Sequence, residues 1–297
     1  MEKPNFLPGL LLLALTLPSP AALLLYEGFT GYTAGNNLST LAANANTTGI
    51  AMTGGATYGN DSGNNSPTGL LITNSGISFG SLVTSGGAIT FSAATNVASI
   101  GITSTTSGTT LWGSYLARLN STSNTSAQGV DIRLNSSTTS SSTAAFFRSD
   151  ADSRGTSGTG PAVSYDNGMG SAAAGLNTAT NYILISKFAG LGGTTGGTAT
   201  IWALNSDQFE AFVTAGRTED FLANSGNVTA TATSSQSGGV ARVWNGMFFE
   251  IVTGGTTGTL DEFRYGETLL EVTPVPEPAS LSLLGAGSLL FLRRRRK

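Results

Sequence analysis

The chain has 297 residues, 10% of them charged, with 40 glycines and neither cysteine nor histidine. Their absence excludes a Ser-His-Asp triad, a cysteine nucleophile, the usual zinc sites and any disulfide staple. The net charge of −3 conceals an acidic body: between Ala22 and Val275 stand 8 Lys plus Arg against 15 Asp plus Glu, a balance of −7. No nucleic acid is expected as a partner for such a surface.

Met1 to Ala22 reads as a secretory signal peptide. Lys3 precedes an apolar region containing Leu10 to Leu13, Leu15 and Leu17. Pro18 and Pro20 break any helix that would continue into a span, and the small residues near them place cleavage after Ala21 or Ala22. The body, residues 23–274, is expected to be one β-sandwich domain.

Apolar clusters recur through the body with strand-like spacing. They are Leu23 to Phe29, Leu70 to Ile72, Ala88 to Phe91, Leu111 to Leu119, Tyr182 to Phe188, Thr200 to Leu204, Val240 to Val252 and Leu260 to Tyr265. Gly, Asn, Ser and Pro of the turn-forming sort separate them. In Leu111 to Leu119 one face carries Leu111, Tyr115, Ala117 and Leu119, and the other Trp112, Ser114, Leu116 and Arg118. In Val243 to Ile251 one face carries Val243, Met247, Phe249 and Ile251, with Trp244, Phe248 and Glu250 opposite. Strands apolar on one face and mixed on the other suit a two-sheet antiparallel sandwich whose outer face holds a partly covered groove. Thr keeps β-propensity on the solvated face without adding charge. Ser136 to Thr143, all Ser and Thr, is expected to be a loop or edge. Gln208 to Phe221 suits a short helix, since Phe209, Phe212 and Val213 lie at helical offsets. No repeat of fixed length appears, which favours a jelly roll over a β-solenoid.

The polar content offers few sites. Asn60-Asp61-Ser62-Gly63-Asn64-Asn65 has the oxygens of a calcium loop, but its composition is equally that of a turn; no cofactor and no metal is assigned. Trp112, Trp202 and Trp244 fall on inferred strands. They suit glycan stacking on a concave face, and they suit the core, where large aromatics usually go. Asp261, Glu262 and Arg264 read as a buried ion pair or turn clamp. As neighbours on a strand, Asp261 and Glu262 are expected to point to opposite faces, and Gly266 to turn the chain before Glu267.

The C-terminus sets three elements in order: Val275-Pro276-Glu277-Pro278, an apolar run from Ala279 to Leu292 containing Leu283-Leu284-Gly285, and the cations Arg293, Arg294, Arg295, Arg296 and Lys297. The prolines keep the tripeptide extended, and the cations favour the cytoplasmic side of a membrane. Ala279 to Leu292 would make about 21 Å of helix against a hydrocarbon core of about 30 Å, a marginal span suited to temporary retention. An ordinary membrane anchor is the other reading.

This tail, residues 275–297, resembles the PEP-CTERM sorting signal of Gram-negative bacteria. The resemblance implies passage through the general secretion machinery and a transient inner-membrane stage. It further implies recognition near Pro276-Glu277-Pro278 by an exosortase, a membrane-embedded cysteine protease or transpeptidase. The product would be released or attached at the cell surface, often in an exopolysaccharide matrix. The body resembles concanavalin A-like, or laminin-G-like, jelly-roll domains. The likeness lies in Leu25-Tyr26-Glu27-Gly28-Phe29 with Tyr32 to Gly35, in Thr110 to Leu116, and in Leu260 to Thr268 followed by Val272-Thr273-Pro274. Retaining jelly-roll glycosidases carry Glu-x-Asp-x-x-Glu on one strand, and Asp261, Glu262 and Glu267 do not reproduce it. The sequence therefore leads to a non-catalytic exported protein, adhesive or glycan-associated, with no catalytic residue assigned. A jelly-roll glycoside hydrolase or polysaccharide lyase and a self-associating coat protein are the alternatives.

Overall fold

The computed structural model describes residues 23–38, 41, 46–47, 51–53, 70–91, 96–103, 109–121, 130–135, 146–152, 160–165, 168–171, 176–236, 246–251 and 257–275. The expected signal peptide with Ala21 and Ala22, the Asn60 to Asn65 segment, Ser136 to Thr143, Trp244 and the tail from Pro276 onward lie outside these residues.

The chain forms strands β1 (Leu25–Glu27), β2 (Asn46–Thr47), β3 (Ala51–Thr53), β4 (Leu70–Thr73), β5 (Ala88–Phe91), β6 (Asn96–Thr103), β7 (Thr110–Ser121) and β8 (Val130–Asn135). There follow β9 (Phe146–Asp152), β10 (Gly160–Tyr165), β11 (Gly168–Ser171), β12 (Asn181–Ala189), β13 (Thr198–Leu204), β14 (Ala230–Ser235), β15 (Gly246–Ile251) and β16 (Thr257–Gly266). The described residues also hold three short α-helices, α1 (Ser206–Thr214), α2 (Glu219–Ala223) and α3 (Leu269–Val272), and a 3-10 turn at Ser225–Asn227.

The strands make two antiparallel sheets. One runs β14-β13-β12-β7-β16-β1-β2, with β5 also on β16 and β4 on β5; the other runs β11-β10-β9-β8-β15-β6-β3. The chain passes repeatedly between them, and late strands insert among early ones: β16 lies between β7 and β1, and β15 between β8 and β6. Strand β10 packs on β13 and β14, where the backbone N–H of Tyr165 donates to Ser234 Oγ at 3.1 Å. The all-β, antiparallel, two-sheet class expected from the alternation is the observed one, and every apolar cluster named above holds a strand.

Alternation decides which side chains meet. Leu111, Tyr115, Ala117 and Leu119 of β7 join Leu184, Phe188, Ile201, Val163 and Tyr165 in one core cluster. Trp112 and Leu116 turn the other way and join Ile183, Ile185, Trp202 and Leu204 in a second. That second face is where the structure departs from expectation. In place of a partly covered groove, it carries α1, α2 and α3, with Phe209, Phe212, Leu222, Leu269 and Val272 closing over it, together with Ile77, Phe79 and Leu82. The expected short helix therefore exists as two, α1 and α2, and roofs the sheet. Helix α1 starts cleanly because Asn205 and Gln208 form a reciprocal capping box.

Candidate functional site

The polar centre of the described body lies where β16 changes neighbours. One edge of β16 is bonded to β7; the other is shared, first by β5 from Gly258↔Phe91 to Leu260↔Ile89, then by β1 from Glu27↔Phe263 to Leu25↔Tyr265. Asp261 and Glu262 fall in the gap. On the β7 side the register jumps from Asp261↔Leu116 to Arg264↔Ser114, so Glu262 and Phe263 stand against Tyr115 alone. This is a β-bulge, and Glu262 takes the left-handed conformation, φ 59°. The bulge breaks the strand's two-residue period. Asp261 and Glu262, expected on opposite faces, both reach the loop between β4 and β5.

Every carboxylate oxygen of the cluster is used. Glu262 Oε2 accepts from the Tyr26 hydroxyl at 2.8 Å and from Arg264 Nη2 at 2.5 Å, while Oε1 accepts from the Ser85 N–H. Asp261 Oδ2 accepts from the Ile77 N–H at 2.7 Å, and Oδ1 from the Glu262 N–H at 2.8 Å. Arg264 also donates to the Val83 carbonyl and lies 5.1 Å from the centre of the Tyr26 ring. Beside it, buried Glu27 accepts from the Phe29 N–H at 2.7 Å and the Tyr32 hydroxyl at 3.0 Å. The loop can come this close only because residue 76 is glycine. A Cβ there would stand 2.5 Å from the Ser85 carbonyl and 2.8 Å from Asp261 Oδ2.

Asp261 and Glu262 are both 0% exposed, so desolvation governs the electrostatics. Burial first, and then the neighbouring Glu262 charge against the opposing Ile77 N–H, pushes the Asp261 carboxyl up to about 8. Burial likewise pushes the Tyr26 hydroxyl up to about 12 and pulls Arg264 below the ordinary guanidinium range, against the Glu262 charge that holds it up. The Glu262–Arg264 ion pair thus stands beside an Asp261 carboxyl whose ionisation burial holds back. The ion pair expected of Glu262 and Arg264 is present at 2.5 Å. Tyr26 and Glu27, quoted above only for the jelly-roll likeness, and Ser85 had no site role in the sequence, although Glu27 inside the apolar run Leu23 to Phe29 is a visible signal.

Beyond the cluster Gly266, expected to turn the chain, is the last paired residue of β16; the bend falls on Glu267 and Thr268, and the chain is tied down over its next residues. Thr268 and Glu271 cap α3 reciprocally, and Glu271 Oε2 accepts from the Glu267 N–H at 2.7 Å. The Ser114 hydroxyl donates to the Val272 carbonyl at 2.5 Å, Arg217 Nη1 to the Thr273 carbonyl at 2.8 Å, and the Val83 N–H to the Pro274 carbonyl at 3.1 Å. Val275 packs on the helix-covered core, as does Leu23 at the other end of the described body.

Trp112 and Trp202 lie in that same core. Their rings stack on each other with centroids 6.0 Å apart, each residue 5% exposed, and Lys187 Nζ sits 5.2 Å from the Trp112 ring centre. A sugar needs an open ring face, and neither tryptophan presents one. Of the two roles the sequence allows them, they take the core. Among the described residues no group of three or more acidic side chains is placed to hold a metal ion. No helix among them is long and apolar enough to cross a membrane.

Residues 274–297 match the PEP-CTERM protein-sorting motif. That motif marks the chain as an exported, surface-directed protein. No curated protein matches the chain. Among solved structures, lectin II from Ulex europaeus overlaps 76% of this chain and 94% of its own at 8% identity and a TM-score of 0.36. The alginate lyase vAL-1 from Chlorella virus overlaps 72% and 94% at 7% identity and a TM-score of 0.35. One is a lectin and the other an enzyme, and overlaps this loose carry no argument for either activity.

Proposed function

We propose that the protein is a non-catalytic component of the cell surface or extracellular matrix. An exosortase-type enzyme processes it near Pro276-Glu277-Pro278 after a transient inner-membrane stage, and its body associates with extracellular polysaccharide. The match of residues 274–297 to the sorting motif is the observation that carries this reading. The chemistry of the body supports it. Histidine and cysteine are absent, and the buried carboxylates of Asp261 and Glu262 spend their oxygens on backbone amides, Tyr26 and Arg264. Such groups are poor candidates for general acid–base work, which needs a titrating oxygen within reach of a substrate.

Mass spectrometry of the mature protein's two ends tests the processing half. The expected species begins near Leu23 and lacks Ala279 to Lys297. Recovery of the protein with the arginine cluster intact would end the sorting reading. A glycan array tests the binding half: retention of the purified protein by acidic or neutral polysaccharides is expected, and a flat array would leave matrix association by protein contacts alone.

A further inference from the structure

The cover over the second face of the larger sheet stops short of one end. Arg118 of β7 pairs with Asn181 of β12 on one side and with Thr259 of β16 on the other; Thr259 pairs with Thr90 of β5, and Leu71 of β4 with Thr90. Directly opposed residues share a face, so these five side chains form one row across five strands. With four strand gaps of about 4.8 Å, the row is about 19 Å long. Arg118 and Leu71 are exposed, and Thr90, Thr259 and Asn181 are half-buried. The next row on that face, Asp261, Leu116 and Ile183, is fully buried. The margin of the cover therefore runs between the two rows. The β4–β5 loop touches the open row at Asn181, where the Ser78 carbonyl accepts from Asn181 Nδ2 at 3.5 Å.

The cation of this row is unengaged. Lys187 is paired with Glu219, Arg264 with Glu262, and Arg217 donates to the Leu270 and Thr273 carbonyls. Arg118 has no hydrogen-bond or ion-pair partner among the described residues. A body with 15 Asp plus Glu against 8 Lys plus Arg thus leaves a guanidinium unused on the central strand of its larger sheet. Its neighbours in the row, Thr259 and Asn181, are uncharged hydrogen-bonding groups. We propose that the row seats an extended polysaccharide, and that Arg118 selects chains bearing carboxylate groups. The planar guanidinium fork matches a carboxylate through two parallel bonds. Thr90, Thr259 and Asn181 meet sugar hydroxyls, and Leu71, 38% exposed, gives the C–H faces an apolar contact at the end of the row. Because the body is acidic overall, the attraction is local: one cation and its polar neighbours hold the chain, without a basic field around them. The proposal rests on the polysaccharide reading above, to which it gives a place and a ligand class.

Affinity electrophoresis of the purified protein through gels holding polygalacturonate, its methyl ester, dextran or dextran sulfate tests the row. Polygalacturonate is expected to retard the wild-type protein. The ester and dextran are expected to bind at least about tenfold more weakly, since each lacks the charge-assisted pair. Arg118→Gln is expected to lose about tenfold in affinity for polygalacturonate, and Arg118→Lys to recover only part of it. Thr259→Glu, which sets a carboxylate beside Arg118, is expected to abolish retention. Lys187→Gln, which removes an equal charge away from the row, is expected to bind as the wild type does. Thermal midpoints of the Arg118 and Thr259 variants report folding, and are expected to match the wild type. Wild-type affinity in Arg118→Gln would overturn the row, and dextran or dextran sulfate binding as tightly as polygalacturonate would overturn the selection by Arg118; the polysaccharide reading survives either result. If none of the four gels retards the wild-type protein, that reading falls and takes the row with it.

Discussion

Asp261 gives the sharpest prediction. Its carboxyl titrates at about 8 in the folded protein against 3.8 for an ordinary aspartate. Between these values the folded state holds a proton that the unfolded chain has lost, so stability falls as pH climbs from about 4 to about 8 and is level above. At 1.36 kcal/mol per unit, the loss is on the order of 5 kcal/mol, comparable to the whole stability of a modest domain. Asp261→Asn abolishes the titration at a fixed cost. The amide has a single acceptor oxygen, so either the Ile77 N–H or the Glu262 N–H loses its partner, about 1–3 kcal/mol. Urea unfolding of the two proteins at pH 4 and pH 8.5 should therefore cross over. The variant is expected to be the weaker at pH 4 and the stronger by about 2–4 kcal/mol at pH 8.5. Parallel curves would refute the assignment of a neutral, buried Asp261.

Glu262→Gln leaves the buried Arg264 guanidinium without its ion-pair partner and is expected to cost about 3–5 kcal/mol. The double variant Glu262→Gln with Arg264→Met should recover much of that in the same urea assay, since no charge is then left unpaired. Trp112→Ala empties one side of the Trp112–Trp202 stack and is expected to cost about 3–5 kcal/mol by thermal unfolding. It should leave any polysaccharide retention unchanged, because the ring is not offered to solvent.

Much of the fold could be read along the chain. The alternation in Leu111 to Leu119 assigned each side chain of β7 to the face it occupies, because a strand's period of two tolerates no other reading once both neighbours are in place. What alternation could not supply was the partner of the second face. Phe209, Phe212 and Val213 announced a helix at helical offsets, yet nothing in their spacing says against what a helix packs. The roof of α1, α2 and α3 therefore had to be seen, and with it the burial of Trp112 and Trp202. The carboxylate pair failed for a different reason. Placing Asp261 and Glu262 on opposite faces assumed an unbroken strand, and the bulge sits on Glu262, a residue type with no preference for positive φ. A glycine there would have signalled the break. The capping pairs Asn205–Gln208 and Thr268–Glu271 were legible in principle, since an Asn or Thr followed three residues on by Gln or Glu is a helix-start signature.

The cluster explains how an exported chain without cysteine ties its ends together. It joins β1 through Tyr26, the β4–β5 loop through Ile77, Val83 and Ser85, and β16 through Asp261, Glu262 and Arg264. A disulfide between such distant segments would act chiefly on the unfolded chain, by shrinking its ensemble. An ion cluster does nothing to that ensemble, and the desolvation of Glu262 and Arg264 offsets most of their attraction. Its gain is discrimination. Were β1 to slide two residues along β16, Tyr26 would leave Glu262, and Arg264 would lose the ring above it. Were the β4–β5 loop to dock elsewhere, the Asp261 carboxyl, the Glu262 carboxylate and the Arg264 guanidinium would each lose a backbone partner. Each error costs several kcal/mol, whereas an apolar patch of the same size would tolerate both with little change. The buried cluster therefore pins register at the junction of β1 and β16.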